Sequence, residues 1–131
     1  MAQGGGSARV VNKNVLVGGL LLLLLCVLQC VSVVEGATYT VGGRQGWGFQ
    51  TNSWTAGKRF RAGDTLVFNY NPSAHNLVVV GAGAYRSCST GGSRPLTSGS
   101  DKVTLRKGVN YFICSIPGHC TSGMKIAVPA T

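Results

Sequence analysis

The chain has 131 residues, room for one domain and a leader, and sets 12 Lys or Arg against 3 Asp or Glu for a formal net charge of +9. Carboxylates this scarce leave no acid/base pair, and neither a Ser/His/Asp set nor a phosphate-cradling glycine loop is present, which argues against an enzyme. The cations stand singly or in short groups, Lys58-Arg59-x-Arg61 and Arg106-Lys107, and not along a helix, which argues against nucleic acid.

Arg9 and Lys13 precede an apolar stretch from Val15 to Val34, built round Leu20 to Leu25. It ends at Val34-Glu35-Gly36 before Ala37, with short residues where a signal peptidase reads. Residues 1–36 are therefore expected to be a secretory signal peptide, with the mature domain in 37–131. A stretch of this length can also span a bilayer, but Gly18-Gly19, Gln29 and the cleavage-site residues favour removal, leaving no membrane segment.

Beyond the leader the pattern is all-β. Strands are expected at Thr38 to Val41, at Thr65 to Tyr70 with Leu66, Phe68 and Tyr70 on one face, and at Asn76 to Val80, an apolar run suited to burial. Three more follow: Asp101 to Leu105, Val109 to Cys114, and Met124 to Val128. Ala82 to Cys88 has room for a helical turn, and Gly91 to Ser100 is a polar loop. Short strands at regular spacing without a helical period predict a sandwich. Trp54, Phe60 and Phe68 are expected in its core, and Gly63-Asp64 is a turn before a strand.

Chemistry concentrates in four residues: His75, then Cys114, His119 and Met124 at intervals of five. Singly, each has a structural reading, since a lone His or Met more often fills a core than binds a metal. Together they use both histidines of the chain and its one methionine besides the initiator. One thiolate, two imidazoles and a thioether suit copper, whereas zinc has little use for the thioether. Ser115 to Gly123 is turn-rich and must be a loop, so one strand–loop–strand unit offers three ligands at one end of a sheet. His75 comes from a different strand.

The segment Trp54-x-x-Gly57-Lys58-x-Phe60-x-Ala62-Gly63-Asp64-x-Leu66-x-Phe68-x-Tyr70, followed by His75-Asn76, resembles the phytocyanin signature. Cys114-x4-His119-Cys120-x3-Met124 resembles the copper loop of the same family, and the match runs from Ala37 to the last residue. The axial Met and the basic charge resemble the plantacyanin branch. The resemblance implies a cupredoxin-like Greek-key β-sandwich of about seven to eight strands with one disulfide. It also implies one type 1 copper on His75, Cys114 and His119, with Met124 in the weak axial place. The implied role is a one-electron carrier in the extracellular space or cell wall. The alternative is a signalling or wall-binding protein whose copper is structural.

Removal of the leader takes Cys26 and Cys30, leaving an odd count of cysteines. If Cys114 is the copper thiolate, Cys88 and Cys120 are left to pair; the competing pair, Cys114 with Cys120, would destroy the site. The domain is expected to be a monomer. Its redox partner is not named by the sequence, and its charge suits an acidic partner protein or an anionic polymer such as de-esterified pectin. Asn71-Pro72-Ser73 carries the forbidden proline and no other sequon exists, so no N-glycan is expected. The chain stops at Pro129-Ala130-Thr131 with no hydrophobic tail, so no lipid anchor is expected.

Overall fold

The computed structural model describes residues 13–30 and 36–131. The chain divides between residues 34 and 35 into two compact units. In the first, the leucine-rich run forms α1, Lys13–Cys30, and no helix among the described residues is long and apolar enough to cross a membrane. Most of the expected cleavage junction, Val34-Glu35, lies outside the described residues.

The second unit is the sandwich. Its strands are β1 (Thr38–Thr40), β2 (Thr65–Asn69), β3 (Val78–Val80), β4 (Ser100–Thr104), β5 (Gly108–Ile113) and β6 (Lys125–Ala130). They form two three-stranded sheets, ordered β1-β2-β4 and β3-β5-β6. From β2 to β5 each step crosses between the sheets. Single bridges, Phe60 to Ala130 and Leu77 to Leu96, add one pairing each outside these ladders. The expected seven to eight strands are reached only by counting those bridges.

Alternation along the strands builds the core. Leu66 and Phe68 of β2, Phe112 of β5, and Ile126 and Val128 of β6 turn inward into one cluster. The rings of Phe68 and Phe112 meet between the sheets with centroids 4.9 Å apart. Removing either ring would cost about 3–5 kcal/mol. Phe60 is buried as expected, whereas Trp54, expected in the core, is only partly buried and packs at the cluster's margin. The run Leu77 to Val80 is not buried throughout: Val79 shares the face of its partner Phe112, but β3 is an edge strand paired only with β5, which leaves Val79 exposed.

On the outer face of the second sheet, α2 (Ala82–Ser87) occupies the expected helical turn. It lays Ala84 and Tyr85 over Val78, Val80 and Ile113. Cys88 ends that helix and is joined to Cys120 by a disulfide across 32 positions. The bridge ties the segment after β3 to the residue beside His119, and Cys114 stays a free, buried thiol.

Candidate metal centre

Cys114 follows β5, and Met124 immediately precedes β6. The loop between them folds back tightly because Gly118 and Gly123 adopt φ of +82° and +106°, a region other residues enter only with strain. Each glycine precedes a candidate ligand, His119 or Met124. Met124 N–H donates to the His119 carbonyl at 3.0 Å, and Cys114 N–H donates to the Met124 carbonyl at 3.1 Å. The three residues are thus locked through their backbones.

His75 arrives not from the strand expected but from the stretch between the turn at Pro72 to Ala74 and the bridge residue Leu77, and is held by Asn76. The Asn76 amide donates to Ser115 Oγ at 2.9 Å, and its carbonyl accepts from the Ser115 N–H at 2.8 Å. This double clasp joins the residue after His75 to the residue after Cys114. Trp47 Nε1–H donates to the backbone carbonyl of Asn76, a different oxygen, at 2.9 Å, which fixes the main chain of the same residue.

The side chains converge. The two Nδ1 atoms of His75 and His119 lie 3.1 Å apart, and His119 Nδ1 lies 3.5 Å from Cys114 Sγ. One ligand atom from each of the three residues falls within 4.8 Å of the others. Two nitrogens at that separation can each sit about 2 Å from one ion, so a single small metal fits. Cys114 and Met124 are fully buried and share the core cluster, whereas both imidazoles are half-buried. Burial, then the neighbouring charge of His119, holds the His75 imidazole below its ordinary range, which favours the neutral, ligating form.

One residue at this end was not legible in the sequence. Phe49, 42% exposed, sets its ring edge-on to both imidazoles, with centroids 5.9 Å from His75 and 5.0 Å from His119. The buried Trp47 and Thr51 anchor its loop, Thr51 through a 2.6 Å hydrogen bond to the Gly48 carbonyl. Phe49 thus adds an exposed apolar ring beside both imidazoles.

Residues 47–124 match the family model described as a plastocyanin-like domain. The chain belongs to that family. Chemocyanin of Lilium longiflorum is 56% identical over 131 residues, covering 99% of each chain. A basic blue protein of Arabidopsis thaliana is 50% identical with the same coverage. Among solved structures, cucumber basic protein, a blue copper protein, is 59% identical with a TM-score of 0.70, covering 72% of this chain and 100% of its own. These relatives place the chain among the plantacyanin-like phytocyanins, with the cupredoxin fold and copper as its cofactor.

Proposed function

We propose that this phytocyanin is a secreted one-electron carrier. Residues 1–36 are removed as a leader, and copper is held by Nδ1 of His75 and His119, Sγ of Cys114 and, axially, Met124. The supporting observation is the convergence of two imidazole nitrogens and one buried thiol within 4.8 Å at the end of a rigid sandwich. Copper in this mixed set changes oxidation state with little rearrangement of its ligands. The chain supplies the rigidity. The Asn76–Ser115 clasp and the Cys88–Cys120 bridge fix both sides of the loop, so His75, Cys114 and His119 need not move as charge changes. With Met124 as the fourth donor, the set leaves no open position for substrate, which supports a carrier and not an enzyme. The half-buried His119 and the exposed Phe49 form the edge where electrons enter and leave.

Cyclic voltammetry of copper-loaded residues 37–131 tests the reading. One reversible one-electron wave at one copper per chain is expected, and Cys114→Ser should abolish it. An irreversible wave, or a preference for zinc at matched supply, would refute it.

A second reading, a basic wall-binding or signalling module, is favoured by a different observation. Lys58, Arg59 and Arg61 are exposed round a groove of about 440 Å³, and their charged side-chain groups form no ion pair with a carboxylate among the described residues. Adsorption to a polyuronate that survives Cys114→Ser, but is lost on charge reversal of these three, would favour it over the carrier. Such binding should weaken steeply with salt.

A further inference from the structure

The Gly63-Asp64 motif has no part in electron transfer, yet Asp64 is 4% exposed. Its carboxylate accepts from two backbone groups, the Arg61 N–H at 2.8 Å and the Ala37 N–H at 2.9 Å, and meets no cation among the described residues. A nearly buried carboxylate served only by neutral donors is incompletely compensated. The shortfall is notable in so basic a domain, where Asp64 and Asp101 are the only side-chain carboxylates after Gly36. Asp101 is served by hydroxyls, Tyr70 on one oxygen and Ser98 on the other at 2.6 Å.

Ala37 is fixed independently of that contact. Its carbonyl accepts from Thr65 N–H at 2.9 Å, beside the parallel pairing of β1 with β2 that begins at Thr38 and Thr65. The residue before it is crowded. A Cβ at Gly36 would fall 2.1 Å from the Gly63 carbonyl oxygen, so only glycine is accommodated against that turn.

We propose that Asp64 is the built-in receptor for the amino terminus that leader removal creates at Ala37. This rests on the processing proposed above. Hydrolysis of the Gly36–Ala37 peptide bond consumes one water; the carboxylate departs with Gly36 and the ammonium remains on Ala37. The nitrogen that donates as a neutral amide at 2.9 Å then becomes a cation with three protons at the same carboxylate. A charge-assisted bond replaces a neutral one, roughly doubling its strength. Processing thereby completes the fold, pinning β1 to the turn before β2 and neutralising Asp64.

The test compares two chains, one starting at Ala37 and one at Gly36, each made by tag removal that leaves no extra residue. This part folds as its own compact unit, and the solved cucumber protein is covered entirely by 72% of this chain. The Gly36 chain keeps the amide and displaces the ammonium by one residue. The Ala37 chain is expected to melt higher by about 5 °C or more, with the difference vanishing when both carry Asp64→Asn. Equal melting temperatures, or a difference that survives Asp64→Asn, would overturn the proposal. Should the Asp64→Asn chains fail to fold, titration of the labelled Ala37 amine decides instead. A value above the ordinary range of about 7.7–8.0 supports the pair, and a value within it refutes it. Sequencing the amino terminus of the full chain after export from a eukaryotic cell tests the processing separately. Ala37 first supports it, and a retained leader overturns that reading without touching the in vitro comparison.

Discussion

Replacing Cys88 and Cys120 together by alanine should destabilise the copper-free domain by about 3.7 kcal/mol. The bridge spans 32 positions, and constraining a loop of that length in the unfolded chain removes about 12.4 cal/mol/K in the chain-entropy treatment. Alanine is preferred to serine because Cys120 lies buried against Val78, Val80 and Ile113, where a hydroxyl would lack a partner. For a domain of this size the loss corresponds to a fall in Tm of roughly 15–30 °C. Urea denaturation without copper is the appropriate assay, since a bound ion adds its own stabilisation by mass action. Reduction of the unsubstituted chain should reproduce the loss. A change below about 1 kcal/mol in both experiments would refute the reasoning, because the bridge would then not constrain the unfolded chain.

Met124→Gln should retain the metal and lower the reduction potential, since an oxygen donor favours Cu(II) over Cu(I) relative to a thioether; an unchanged or raised potential in voltammetry would remove Met124 from the axial place. Phe49→Ala should admit water to the imidazole edges and lower the potential by on the order of 60 mV, a tenfold shift in the Cu(II)/Cu(I) ratio. Because that ring is exposed, urea stability should change by less than about 0.5 kcal/mol. The Tyr70 phenol, pushed up to about 12 by burial and then by its hydrogen bond to Asp101, is held in its neutral form by the fold. Its folded value exceeds the unfolded value of 10.0, so the stability it contributes is intact below pH 10 and is lost as pH rises towards 12. Denaturation as a function of pH should show that loss, and Tyr70→Phe should flatten the slope.

The features legible in the sequence are those encoded locally. Alternation announced Leu66 and Phe68 as core, and Pro117, Gly118 and Gly123 announced the loop carrying His119. The Cys88–Cys120 bridge followed from a cysteine count once Cys114 was set aside. Features fixed by pairing across the fold were hidden. Val79 sits in an apolar run, and only the edge position of β3 leaves it exposed. Phe49 lies in an aperiodic segment, and its neighbours His75 and His119 are distant in sequence. The Asn76–Ser115 clasp spans 39 positions and leaves no local signal. Asp64 was recognisable as a turn residue, but its hold on Ala37 depends on the parallel pairing of β1 with β2.

The visible absorption spectrum of the Cu(II) form of residues 37–131 tests whether His75, Cys114 and His119 hold copper together. A thiolate bound to Cu(II) in a trigonal His₂Cys set gives an intense blue charge-transfer band. That band is expected at one copper per chain, is lost in Cys114→Ser and persists in Met124→Gln. A copper-loaded protein without colour, or a blue band that survives Cys114→Ser, would contradict this ligand set.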